Sequence, residues 1–156
     1  MQRIDDAALE SVVAAARAHA RRRMNHNLHQ MQDPVHRLLN AMEPDSYVQP
    51  HRHLTPPRRE TLAVLRGRGA ILVFDDRGAL STRATLSPNG PDHVIELEPG
   101  AWHSLVALEP GTVWFEVKEG PYAPPPPADV ANFAPAPNSP DAAGYLARMR
   151  TLALGG

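Results

Sequence analysis

Four residues of this 156-residue chain have the types and spacing to hold a metal ion: His51, His53, Glu60 and His103. His51 and His53 flank a single residue, Arg52, and side chains on a β-strand alternate between faces, so on a strand both imidazoles project to the same side. Glu60 opens an apolar run, Leu62 to Leu65, and His103 follows the Pro99-Gly100 turn at the start of another. Three imidazoles and a carboxylate suit a first-row divalent ion. The chain has no cysteine, so its donors are nitrogen and oxygen. Donor type leaves zinc, iron, manganese and nickel open. An open coordination position would polarise a carbonyl oxygen of a bound molecule, whereas a closed one would only clamp strands.

Alternation extends the site beyond the ligands. If a strand runs from Tyr47 to His53, Tyr47 and Gln49 share the face of the two histidines. From Glu60 that face carries Leu62 and Val64, and from His103 it carries Leu105 and Ala107, which predicts a metal at one end of an apolar cavity. Thr112, Trp114, Glu116 and Lys118 form one face of a later run, suited either to a pocket mouth or to an exposed Glu116–Lys118 ion pair. Glu116 and Tyr47 are therefore the candidates for proton transfer, and Gln49 and Lys118 for contact with a substrate. Arg23, Asn25 and Asn27 share a face of a polar period-two stretch, which fits a ligand-binding face or a solvated edge strand. Arg52, Arg58 and Arg59 lie close to the ligands and suit a phosphate or carboxylate, or a solvated loop.

The elements that must position these groups are mostly strands. Asp5 or Asp6 caps a helix in which Leu9, Val12, Val13 and Ala16 form one apolar face, ending near Arg23. Strand patterns follow at Arg23 to His29, Tyr47 to His53, Glu60 to Arg66, Ala70 to Phe74, Ala79 to Leu86, His93 to Leu97, Trp102 to Leu108 and Thr112 to Lys118, while Val35 to Met42, after the helix-start signal Asp33-Pro34, fits either period and is read as a strand. Gly- and Pro-containing turns separate them, the mark of an antiparallel sandwich or barrel. Pro124 to Pro127 predicts a stiff extended segment, and Asp141 to Leu154 a closing helix. The expected organisation is one domain: residues 1–23 a helix on the barrel, 24–122 the barrel, and 123–156 a Pro-rich segment with a short helix.

Composition narrows the class. A net charge of −1 gives no reason to expect nucleic acid or an anionic membrane as partner. Arg17 and Arg21-Arg22-Arg23 end the helical pattern, where cations meet the negative end of the helix dipole. Met1 to Glu10 lacks the apolar core of a signal peptide and no run reaches membrane-spanning length, so the expectation is a cytoplasmic protein.

These motifs resemble those of the cupin superfamily, which places a His-x-His and a Glu before one hairpin and a third His in the next. More narrowly the chain is similar to WbuC-type cupin-fold metalloproteins, over Met42-Glu43-Pro44-Asp45-Ser46-Tyr47-Val48-Gln49-Pro50-His51-Arg52-His53, Val73-Phe74-Asp75-Asp76-Arg77-Gly78, Trp102-His103-Ser104-Leu105-Val106-Ala107-Leu108-Glu109 and Phe115-Glu116-Val117-Lys118-Glu119-Gly120-Pro121-Tyr122. The chain departs from the general pattern in a longer ligand loop between His53 and Glu60, in Asp45-Ser46 where a Gly is expected, and in Ala107 where an Asn is expected. The resemblance implies an all-β jelly-roll barrel with terminal helices, one divalent metal on His51, His53, Glu60 and His103, and a homodimer. It also implies a sugar or nucleotide-sugar ligand from surface-polysaccharide biosynthesis. The expected activity is an isomerase- or epimerase-like step, with a non-catalytic binding or sensing module and an iron-dependent dioxygenase as alternatives.

Overall fold

The computed structural model describes residues 1–156. Helix α1 spans Asp6–Ala18, and the Asp5 side chain accepts a hydrogen bond from the Ala8 N–H at 3.0 Å, satisfying one of the free donors at the helix start. It stops before the predicted Arg23. His19 turns extended and Arg22 takes a left-handed conformation (φ 57°), which reverses the chain so that Arg23 enters a strand. Eight strands follow: β1 Arg23–Asn27, β2 Val35–Met42, β3 Glu60–Arg66, β4 Gly69–Phe74, β5 Leu80–Leu86, β6 Val94–Leu97, β7 Trp102–Ala107 and β8 Thr112–Glu119. A single 3₁₀ turn, Pro127–Asp129, and helix α2, Ala142–Leu154, complete the chain.

The strands form two antiparallel sheets, one ordered β1-β2-β8-β3-β6 and the other β5-β4-β7. Period-two alternation divides their side chains. Met42, Leu62, Val64, Ile71, Leu86, Leu97, Leu105, Ala107 and Trp114 fill the space between the sheets. Leu39, Ala41 and Val113 point the other way and bury Val12, Val13 and Ala16 of α1. Ala70, Leu72, Phe74 and Val106 receive Ala142, Leu146, Met149 and Ala153 of α2. Each helix thus covers the outer face of one sheet, and burying a side chain such as Leu62 contributes about 2 kcal/mol. The inward face of β3, β7 and β8 is apolar at one end of the barrel and carries Glu60, His103, Glu116 and Lys118 at the other.

The predicted strand from Tyr47 to His53 does not form. Pro50 has no N–H to give a ladder, and the segment divides its backbone bonds between two partners. His51 exchanges both bonds with His103 (3.0 and 2.8 Å), while Arg52 N–H donates to Asp129 O and Ala131 N–H to Pro50 O, each at 2.9 Å. The result is an irregular ligand loop, held on one side by β7 and on the other by the C-terminal tail.

A Cβ added at Gly69 would overlap the ring of Trp114, which is fully buried. Gly69→Ala is expected to destabilise the protein by about 2 kcal/mol, within the range for overpacked cores, as read from urea unfolding. An unchanged midpoint would show that β4 and β8 are less tightly apposed.

Candidate metal centre

Three segments bring the four candidate ligands together. The loop between β2 and β3 carries His51 and His53, the first residue of β3 is Glu60, and the second residue of β7 is His103. One donor atom from each lies within 4.8 Å of all the others. The Glu60 carboxylate, almost wholly buried, is the focus: its Oε2 lies 3.1 Å from Nε2 of His53 and 3.1 Å from Nε2 of His103.

Backbone carbonyls set the rings. His51 Nδ1 lies 3.1 Å from Gln49 O, and His103 Nδ1 lies 2.9 Å from Ala101 O. A carbonyl only accepts, so each Nδ1 carries the proton and each Nε2 is left with its lone pair directed into the cluster. For His103 that lone pair faces a carboxylate oxygen, an arrangement that a cation between the two relieves. Donor set, convergence and fixed tautomers therefore fit a first-row divalent ion.

Charge around Glu60 is organised by β8. Glu60 and Lys118 pair in register, and Lys118 Nζ sits 3.2 Å from Glu60 Oε1 and 3.9 Å from Glu116 Oε2. Burial works against the Glu60 charge, but the Lys118 ammonium above all, together with the His53 imidazole, outweighs it and holds the carboxyl well below its usual range. Burial, reinforced by the Glu60 charge, instead pushes the Glu116 carboxyl up, against Lys118 and against Asn40, whose Nδ2 donates to Glu116 Oε1 at 2.6 Å. Burial lowers Lys118, and the charges of Glu60 and Glu116 more than restore it, keeping the ammonium above its normal value.

Two hollows that share Arg21, Asn25, His51 and Lys118 in their walls adjoin the cluster. The inner, of about 120 Å³, is lined by Arg23, Asn25, Asn40, Glu116 and Lys118 above Val48 and Leu105. The outer, of about 380 Å³, opens over His51 and His53 and is bounded by Arg21, Arg52, Arg58 and the tail at Tyr122, Pro125 and Pro126. The apolar cavity predicted from strand parity is thus corrected: apolar residues fill the barrel centre, while the space beside the cluster is polar.

Of the residues singled out in the sequence, Glu116, Lys118, Arg23 and Asn25 come to the inner hollow and Arg52 to the outer. Arg52 is already engaged, its Nε donating to Asp129 at 3.0 Å and its guanidinium stacking 4.4 Å over the Trp102 ring. Tyr47 and Gln49 do not reach the cluster, because their segment is not a strand. The Tyr47 hydroxyl donates to Pro135 O at 2.8 Å and the ring packs beside α2, while the Gln49 amide donates to Ala131 O and Ala134 O. Asn27 lies beyond the hollows, near Met31. Arg59 points outward to Glu96 and Glu98.

Sequence reasoning missed Asp129, Asn40 and Arg21. Asp129 is buried and accepts from Arg52 and from the N–H groups of Leu54 and Thr55, which fixes the ligand loop from the tail. Nothing local marked it. Asn40 had a signal, being a polar residue on the inward parity of β2, two before the buried Met42.

Residues 4–86, more than half of the chain, match the model of a family described as "Domain of unknown function (DUF6016)". No curated protein matches the sequence. Among solved structures, a cupin 2 domain-containing protein from Halorhodospira halophila aligns at a TM-score of 0.52 and 15% identity, over 86% of this chain and 82% of that one. KdgF from Halomonas sp. gives 0.51 and 16%, over 65% and 82% respectively. The capsular polysaccharide assembling protein CapF from Staphylococcus aureus gives 0.53 and 16%, over 64% of this chain and 29% of that one. At such identities the likeness shows the fold, a cupin barrel. No helix is long and apolar enough to cross a membrane.

Burial, helped by the nearby His103 and opposed by Glu60, pushes the His51 imidazole down to about 3. An unfolded chain protonates this histidine near pH 6.5, so on acidification the unfolded state takes up a proton that the folded state refuses, and stability falls. Urea unfolding of chelator-treated protein should therefore show stability declining from pH 7 to 4, with His51 contributing up to about 1.4 kcal/mol per pH unit. His51→Gln should flatten the profile by about one proton, and an identical profile would mean that the ring is not held neutral.

Proposed function

We propose that this chain, which belongs to the DUF6016 family, is a metal-dependent cupin enzyme acting on a sugar or nucleotide-sugar related molecule in surface-polysaccharide biosynthesis, by an isomerase- or epimerase-like step. The observation that carries the reading is the convergence of His51, His53, Glu60 and His103 beside a hollow that holds a second buried carboxyl, Glu116. The sugar assignment draws on the WbuC-like motifs and on the staphylococcal neighbour, which is named for capsular polysaccharide assembly.

A divalent ion on those four side chains would supply Lewis acidity toward a substrate carbonyl. The chain's own residues do the rest. Glu116 is the group that moves the proton: burial raises its pKa toward the working range of a general base, and it lines the inner hollow. Asn40 fixes its Oε1, and Lys118 stands close enough to stabilise the carboxylate once it has given a proton back. Removing a proton from the carbon next to the carbonyl and returning it to either face is epimerisation. Returning it to the former carbonyl carbon, with a matching transfer between oxygens, is isomerisation. Tyr47, whose hydroxyl is turned to Pro135, has no part in it.

The test is deuterium exchange. Metal-loaded protein incubated in D₂O with a panel of ketoses, aldoses and nucleotide sugars should wash deuterium into the carbon beside the carbonyl of one of them, followed by proton NMR. Glu116→Gln should slow the exchange by at least about 100-fold while retaining the metal. Saturable binding of a sugar with no exchange and no product would replace the enzyme with a binding or sensing module, and substrate-dependent oxygen uptake would replace it with an oxygenase.

A further inference from the structure

The outer hollow is cationic in a way that the metal centre does not require. Arg21, Arg52, Arg58 and Lys118 line it, and its single carboxylate is Asp129. Asp129 is committed to Arg52 and to the N–H groups of Leu54 and Thr55, and Lys118 is committed to Glu60 and Glu116. That leaves two guanidinium groups without a counter-ion. Arg58 is half-buried, and the partner of its side chain is a neutral carbonyl, Pro121 O at 2.7 Å. The Arg21 side chain is exposed, and no carboxylate pairs with it or with Arg58. Arginines such as Arg37, Arg77 and Arg148 also lack a carboxylate partner, but Arg21 and Arg58 are set apart by bordering one hollow beside the metal cluster.

The two free groups come from separate segments, Arg21 from the turn after α1 and Arg58 from the ligand loop, and both border one hollow that also exposes His51 and His53. A planar guanidinium offers paired N–H donors matched to the oxygens of a phosphate, and two of them balance a dianion. Tyr122 lines the same hollow. A volume of about 380 Å³ accommodates a small phosphorylated molecule, and the inner hollow lined by Glu116 shares the walls at Arg21, Asn25, His51 and Lys118.

We propose that Arg21 and Arg58 form a phosphate-binding subsite, so that the substrate is a phosphorylated small molecule whose phosphate lies in the outer hollow while its reacting end reaches the cluster of His51, His53, Glu60 and His103. The orientation rests on the metal-enzyme reading above; the anion subsite itself does not. Inorganic phosphate is the probe, titrated calorimetrically at constant ionic strength into the full chain as purified, with acetate as the carboxylate comparison. One phosphate per chain should bind saturably, and acetate at least tenfold more weakly. Arg21→Gln and Arg58→Gln should each weaken phosphate at least tenfold, with metal content and melting temperature unchanged. Absence of saturable phosphate binding, or equal affinity in the Arg21→Gln/Arg58→Gln double variant, overturns the subsite, and acetate binding as tightly as phosphate overturns its phosphate character. A His51→Ala arm separates the two claims: phosphate binding that persists there, sensitive to Arg58→Gln, upholds the subsite even if no metal is found in either protein.

Discussion

A buried carboxylate faced by imidazoles governs the organisation of this molecule. Glu60 sits at the first position of β3, almost without solvent, with two imidazole nitrogens on one oxygen and an ammonium on the other. A charge in that position is costly unless every lone pair is met, and removing one partner from such a group is far more damaging than removing a surface ion pair. The sheet meets the requirement by register. Pairing of β3 with β8 sets Lys118 opposite Glu60, and pairing of β2 with β8 brings Asn40 to Glu116.

The same requirement explains the irregular stretch between β2 and β3. His51 and His53 have to approach Glu60 from outside the sheet, so their segment leaves strand geometry and is fixed by other means. His51 is bonded through its backbone to His103, another candidate ligand, which couples the positions of the two rings. Asp129 holds the far side of the loop by gathering the N–H groups of Leu54 and Thr55 and the guanidinium of Arg52. Burial would raise this aspartate, but those hydrogen bonds win and keep it ionised. The proline-rich tail is therefore part of the wall of the site, reaching it from more than seventy residues away in sequence.

How much of this could be read from the sequence followed the range of the interactions. Val35–Met42, whose apolar residues fitted a helix or a strand, is a strand buried on both faces from Leu38 onward. Strand β3, in contrast, forms over the residues that its alternation and flanking turns indicate, Glu60–Arg66, because its pattern is local. The fold class was legible for the same reason, and so was the gathering of His51, His53, Glu60 and His103. Parity failed from Tyr47 to Gln49, where Pro50 and contacts with the distant tail override strand propensity, and Tyr47 and Gln49 turn to Pro135, Ala131 and Ala134 instead of the cluster. Asp129 and Arg21 were invisible because their roles arise from tertiary approach alone. Lys118, the chain's one lysine, had by pattern alone suited a surface ion pair slightly better than a pocket, until the register with Glu60 set it beside the buried carboxylate.

The central claim is that the four side chains around Glu60 hold a metal ion. X-ray absorption of protein purified without a metal-affinity tag and reconstituted with one equivalent of zinc or manganese tests it most directly. The account predicts a shell of nitrogen and oxygen at about 2.0–2.2 Å with multiple-scattering features of three imidazoles. It predicts also that His103→Ala removes one imidazole and weakens retention of the metal. Failure to retain the ion through gel filtration, or a shell of water oxygens unchanged in His103→Ala, would contradict it.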